Sequence, residues 1–252
     1  QWRDRYSMDN GNMNLVTPGV HGTAGNRVES ATALATYLRA TIHLGDFTLT
    51  PGLRNEKIAF ERYDYGSSDL DRLGDGDYRI NNVSVLLPGL GLNYNVSSSL
   101  DIFAGIHRGF IPPGSRPETN PELSINSELG LRYSHRYISS QLVVFSNNYS
   151  NLLGADLNAS GGTGSGDLFN GGSALANGIE FELAVDPFTD GPFDYLSMPI
   201  RLAYTYTNAT FTNAFDSDFG AWGDVEVGDA LPYLAPHQLS IITSFEHKKL
   251  AI

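Results

Sequence analysis

The chain is written with a period of two. From 34 to 44, Leu34, Thr36, Leu38, Ala40, Ile42 and Leu44 fall on one side of an extended backbone, and Tyr37, Arg39, Thr41 and His43 on the other. Gly45-Asp46 then forms a two-residue turn, after which Phe47, Leu49, Pro51 and Leu53 alternate with Thr48, Thr50, Gly52 and Arg54. The same alternation returns at 83–94, 100–110, 126–133, 138–149, 178–185, 200–207 and 238–245. Only 31–40 imitates a helix, and Thr and Tyr at alternate positions there favour a strand. Segments of about 9 to 14 residues exceed the usual globular strand of ~5–6 and suit a tilted strand that crosses a bilayer.

Composition narrows the choice. Charged residues make up 17%, against roughly 25% in soluble domains. No run reaches the ~18 apolar residues of a transmembrane helix, a criterion blind to alternating strands. A net charge of −12 excludes a nucleic-acid-binding surface, which needs clustered cations to neutralise phosphate. The absence of cysteine removes disulfides, thiolate metal sites and a thiol nucleophile.

Connections alternate in length. Short turns at 45–46, 96–99, 134–137 and 247–249 separate long polar segments at 9–31, 61–80, 111–124, 151–176 and 209–232, with 186–198 intermediate. Long structureless loops are unusual in a compact soluble domain, whereas a membrane barrel carries short turns at one rim and long loops at the other. Charge placement agrees. Arg39, Arg54, Glu128, Arg132, Glu180, Glu182 and Arg201 lie on the polar side of their strands, with Leu38, Leu53, Leu129, Leu131, Ile179, Phe181 and Leu202 on the other. A lipid-facing Arg at mid-bilayer would cost about 2–4 kcal/mol. Arg108 breaks the rule at a strand end, where an interfacial position allows contact with a lipid phosphate. Pro51 and Pro88, each in a Pro-Gly-Leu tripeptide, are read as bulges because proline removes a ladder donor.

Catalytic signatures are lacking. The six histidines form no HxxxH or HExxH pair, there is no GxSxG elbow, and the glycine-rich run 161–172 lacks the Lys of a phosphate loop. Asp69, Asp71, Asp75 and Asp77, and Asp216, Asp218, Asp224, Glu226 and Asp229, read as solvated acidic loops, with calcium the sharper alternative. Sequons at Asn82, Asn95, Asn148, Asn158 and Asn208 follow from the abundance of Asn, Ser and Thr. No cofactor is expected. The polar strand face remains: Tyr37, Arg39, Arg54, His107, Arg132 and Arg201 would place cationic and aromatic groups inside a barrel. They fit recognition of an anionic or polar ligand, or internal pairing such as Arg54 with Glu56 and Arg132 with Glu128.

Several segments together resemble the C-terminal barrel of TonB-dependent outer-membrane receptors: LTPGLR at 49–54, LLPGLG at 86–91, LDIFAGIHRGFIPP at 100–113, PELSINSELGLR at 121–132, NGIEFE at 177–182, AYTYTNA at 203–209 and LPYLAPH at 231–237. The FIPPGSR stretch at 110–116 is most similar to the ferric citrate branch. The resemblance implies an all-β transmembrane antiparallel barrel of about 22 strands in the Gram-negative outer membrane, of which about ten are present here. It further implies uptake of a ferric siderophore or iron chelate, energised through a plug domain by the TonB complex, with outer-membrane lipid and lipopolysaccharide as surroundings. Loops 61–80, 111–124, 151–176 and 209–232 would capture ligand, helped by His107, Arg116 and Arg54 near the outer rim. The whole chain, 1–252, reads as a partial barrel without plug or terminal strands. Competing readings are a passive porin, an outer-membrane barrel protease or phospholipase, and a soluble secreted β-sandwich.

Overall fold

Alternation makes each segment seek a partner whose apolar positions share its face, and short turns make that partner the next segment in sequence. In the computed structural model this produces one sheet of ten strands. They are β1 (Arg27–Arg39), β2 (Ile42–Leu44), β3 (Phe47–Asp64), β4 (Asp77–Ser97), β5 (Leu100–Ile111), β6 (Glu122–His135), β7 (Ile138–Ser150), β8 (Ala174–Val185), β9 (Ile200–Phe211) and β10 (His237–Thr243). The structure describes residues 6–9, 12–15, 26–66, 69, 71–155, 168–188, 195–216, 223–232, 234–247 and 250–251. His21, Asn158, Asp218 and the glycine-rich stretch 161–167 lie outside the described residues.

Every pairing in the sheet is antiparallel. The order is β10-β9-β8-β7-β6-β5-β4-β3-β1, with β2 continuing the line of β1 along β3. The short connections fall at one end, and the long ones are grouped at the other. Several strands run further toward the long-loop end than alternation indicates. β3 extends to Asp64 and β4 begins at Asp77, so the expected loop 61–80 shrinks to 65–76. β1 likewise begins at Arg27, inside the expected loop 9–31. In these extensions Arg27, Glu29, Arg62, Asp64, Asp77 and Arg79 keep to the polar face and Val28, Tyr63, Tyr78 and Ile80 to the other, while Ser30 and Glu61 interrupt the period-two signal. Residues Leu153–Ala155 and Leu168–Asn170 pair as a small hairpin within the fourth long segment.

Register fixes the two faces. Arg39, Gly52, Gly89, His107, Asn126 and Asn147 occupy one cross-strand row, with Tyr37 opposite Arg54 in the next. Arg132 faces Gln141, which faces Glu182, and Arg201 faces Ala184. Steps of two residues keep a side chain on its face, so all six strand candidates share one surface. The opposite surface exposes Leu38, Phe47, Leu53, Leu90, Leu92, Ile106, Ile125, Leu129, Leu131, Leu142, Val144, Ile179, Leu239 and Ile241. A continuous apolar band of this extent requires a lipid cover, which a soluble sandwich does not offer. Phe47 and Tyr94 stack on it at 4.4 Å close to the short-turn end.

On the polar face, aromatic rings fill the gaps that glycines leave. A Cβ on Gly130 would run into the Phe103 ring, and one on Gly178 into both the Phe145 ring and the Tyr206 carbonyl. Each Phe therefore lies flat across the neighbouring strand.

The prolines are not bulges. β3 and β4 pair without interruption from Phe47–Tyr94 to Asp64–Asp77, and the irregularity lies at Asn95/Ser97. The missing donors are absorbed elsewhere. The Pro51 carbonyl accepts from Ala40 N–H at 3.1 Å, so its donorless nitrogen points to the Ala40–Thr41 break between β1 and β2. Pro88 lies just past the last β4–β5 pair, Gly89 with His107, where that ladder ends.

Candidate functional site

The six strand candidates share a face but not a height. Tyr37, Arg39 and Arg54 cluster on β1 and β3, and His107 lies in the same row as Arg39. Arg132 and Arg201 sit nearer the short-turn end, where they line a common hollow with Gln141 and Glu182. Arg116 belongs to the long-loop end. The sequence-expected set is thus a ladder of polar positions rather than one constellation.

Partners show which of these groups are committed. Arg54 donates from Nε to the Glu56 carboxylate at 2.5 Å, and Glu56 is only 4% exposed. The anticipated Arg54–Glu56 pairing is therefore present. The anticipated Arg132–Glu128 pair is not: Arg132 donates to Gln141 Oε1 at 3.0 Å and stacks 5.0 Å above the Phe103 ring. That ring reaches Arg132 because it lies over Gly130. His107 Nε2 is 3.2 Å from the Asn126 amide, which also donates to Ser124 Oγ at 3.0 Å. Tyr37 is 80% exposed and Arg39 and Arg116 are exposed.

The upper rim holds residues that alternation did not single out. Arg62, 5% exposed, donates to Asp64 at 2.5 Å and lies 3.8 Å from Glu29, which also pairs with Arg27 at 3.3 Å. The signal available in sequence was the same i, i+2 charge pairing that marks Arg54 and Glu56. The Asn81 side-chain amide reaches the carbonyls of Gly114, Arg116 and Thr119 at 3.2, 3.0 and 3.1 Å. Asn81 lies opposite Phe60 on the polar face, so segment 112–121 folds inward over the sheet. Thr119 and Asn120 bond in turn to Leu168 and Asn170, which knits two long connections together. Beneath them Arg116, Pro113, Phe60, Glu29 and Leu168 border a hollow of about 460 Å³.

The acidic loop 65–76 turns on Asp69. The Asp69 carboxylate accepts from the backbone N–H of Leu73 at 3.0 Å and of Gly74 at 2.9 Å. Those bonds, Leu73 first, hold its pKa below the ordinary aspartate value. The charged form is favoured in the folded loop, so its stabilisation is full above the unfolded pKa and disappears as pH falls through the lowered folded value. Amide exchange at Leu73 and Gly74, corrected for intrinsic rates, should accelerate only below the usual aspartate range. Asp69→Ala should abolish both protection and its pH dependence. Among the described residues, no group of three or more His, Asp or Glu side chains is arranged to hold a metal ion.

A meandering antiparallel sheet with an apolar outer band, a polar inner face carrying charges of both signs, short turns at one rim and knitted long loops at the other defines an outer-membrane β-barrel wall. Residues 1–249 match the family described as TonB dependent receptor-like, beta-barrel, and the chain belongs to that family. It is an outer-membrane protein of the Gram-negative type, in a family of receptors rather than enzymes. No curated protein matches it in sequence.

Similar solved structures include the unliganded ferric citrate transporter FecA, with a TM-score of 0.67 and 21% identity over 92% of this chain and 33% of that one. The ferric yersiniabactin uptake receptor FyuA from Yersinia pestis aligns at TM-score 0.65 and 22% identity, covering 86% of this chain and 32% of its own. The siderophore receptor PiuA from Acinetobacter baumannii gives 0.66 and 15%, over 89% and 32%. The chain thus spans about a third of each of these structures, and the likeness is one of fold.

Proposed function

We propose that this chain forms part of the wall and several capture loops of a receptor that takes up an anionic iron chelate, a ferric siderophore or ferric citrate, by TonB-coupled transport. A plug domain encoded elsewhere in the full receptor would carry the coupling to TonB. The observation that carries the reading is the inward fold of segment 112–121. It brings Arg116 to a hollow that it shares with Phe60 and Glu29, and the guanidinium, imidazole and aromatic groups of the polar face, set among carboxylates, suit carboxylate and hydroxamate or catecholate oxygens around iron.

Arg116 and His107 are the proposed ligand contacts, since neither is held in an ion pair among the described residues, although Arg116 shares its hollow with Glu29. Arg54 and Arg132 are held by Glu56 and by Gln141 with Phe103, so their roles are structural first. Tyr37 and Arg39 extend the polar lining toward the β1 edge, and Arg201 with Arg132 forms its lower end.

The test uses the intact receptor, purified in detergent, with ferric citrate and a ferric catecholate as probes. His107→Ala combined with Arg116→Ala should weaken binding of the true ligand at least tenfold with unchanged heat-modifiable mobility. Unaltered affinity removes both residues from the site. Uptake that persists in cells lacking TonB overturns the active-transport reading in favour of a passive channel.

A further inference from the structure

Segment 112–121 is tied to the sheet by one carboxamide. The carbonyls of Gly114, Arg116 and Thr119 converge on Asn81 Nδ2 at 3.2, 3.0 and 3.1 Å. Three acceptors around one nitrogen settle which way the amide faces, since its oxygen in that place would repel all three. The turn that gathers these carbonyls has Gly114 at φ +76° and Glu118 at φ +68°. A residue with a Cβ adopts that left-handed conformation only at a cost, which the bonds to Asn81 help to offset.

Asn81 is a firm anchor because it lies within an unbroken ladder, opposite Phe60 on β3. Under the turn, Pro113 is fully buried and Thr119 is 8% exposed. The other bonds of this turn, from Thr119 to Leu168 and between Asn120 and Asn170, reach a neighbouring long connection rather than the wall. Arg116 is where the tie matters. Its carbonyl is held by Asn81, and Pro117 after it restricts its backbone to extended conformations. The backbone therefore sets the direction in which the guanidinium leaves the chain, at the edge of the hollow lined by Glu29 and Phe60.

We propose that Asn81 is a positioning residue, whose carboxamide fixes the backbone from which Arg116 meets the ligand. The proposal rests on the reading of Arg116 as a ligand contact. Asn81 acts through the loop and need not touch the ligand. A loop already ordered before binding spares the affinity that ordering it would consume. The adjacent Asn82 is a natural control, since it faces outward opposite Ala59.

The experiment uses the intact receptor in detergent. This chain has no cysteine, so Ser115→Cys carries a nitroxide whose spectrum reports motion of the turn without any ligand. Asn81→Ala should change an immobilised spectrum to a mobile one, and Asn82→Ala should not. Asn81→Asp should be mobile at neutral pH, where a carboxylate confronts three carbonyls. Below pH ~4 its protonated form donates again and the immobilised spectrum should return, with no such return in Asn81→Ala. Binding is measured on unlabelled protein with ferric citrate and a ferric catecholate as probes. Asn81→Ala should weaken it roughly fivefold or more beside the native Arg116, and less than about twofold beside Arg116→Ala. An immobilised spectrum in Asn81→Ala, no return at low pH in Asn81→Asp, unchanged affinity in Asn81→Ala where Arg116→Ala weakens it, or equal losses in both backgrounds overturns the proposal. Binding that Arg116→Ala leaves intact overturns instead the reading of Arg116 as a ligand contact, while the spectra still decide whether Asn81 sets the turn.

Discussion

Gly178→Val should abolish assembly of the folded sheet. The glycine on β8 carries both the Phe145 ring and the Tyr206 carbonyl at distances no Cβ tolerates. Ring and carbonyl come from the two strands flanking β8, so relief on one side leaves the clash on the other. The expected cost is about 3 kcal/mol or more, at the upper end for overpacking. It should appear as loss of the heat-resistant compact form in detergent. Phe145→Ala in the same chain should recover only part of the yield, because the carbonyl is backbone. Gly130→Ala gives the contrast. There the three nearest obstacles are all atoms of the Phe103 ring, so Phe103→Leu should restore assembly largely, and Arg132 should lose its stacking partner.

Arg54→Ala is the second substitution with a large expected effect. Glu56 is 4% exposed and Arg54 is its cation. Removing the arginine leaves a carboxylate buried without a counter-charge, which costs about 3–5 kcal/mol for a fully buried pair. The outer half of Arg54 is solvated, so about 2–3 kcal/mol is expected here. Replacing both residues, Arg54→Met with Glu56→Gln, should recover most of that loss, and the double-mutant cycle isolates the pair. Chemical denaturation of the refolded receptor measures the effect. If Arg54 instead serves the ligand, Arg54→Ala lowers affinity at unchanged stability, and the two roles separate cleanly.

What was legible in the sequence is the part governed by the bilayer. Where one strand face meets lipid and the other does not, alternation is enforced residue by residue, and it correctly grouped Tyr37, Arg39, Arg54, His107, Arg132 and Arg201. Toward the long-loop end the alternation continues, with Glu29, Arg62, Asp64, Asp77 and Arg79 on the polar face and Val28, Tyr63, Tyr78 and Ile80 on the other, but Ser30 and Glu61 interrupt it and the density of charge made these strand ends read as loops. Contacts across strands were hidden for another reason: they depend on register. The Phe103 ring lies over Gly130, and Arg132 consequently leaves Glu128 for Phe103 and Gln141. Pro88 shows both effects, since it was recognisable as an anomaly in a strand but not as the residue that ends a ladder. The loop-to-loop bonds of Asn81, Thr119 and Asn120 join positions far apart in sequence, which no local pattern records.

The meander has a consequence for how such a chain tolerates change. Each strand is aligned only against the strands before and after it, so alignment is handed along the sheet like a count kept by successive witnesses. A one-residue deletion inside β6 would turn Arg132 and Glu128 toward lipid and Leu129 and Leu131 toward water, and the two neighbouring strands would have to absorb the error. A deletion in the connection between β7 and β8 changes no side chain's orientation within the ten-stranded sheet. Variation in length is thus channelled to the long-loop rim, while the wall below must be copied residue for residue.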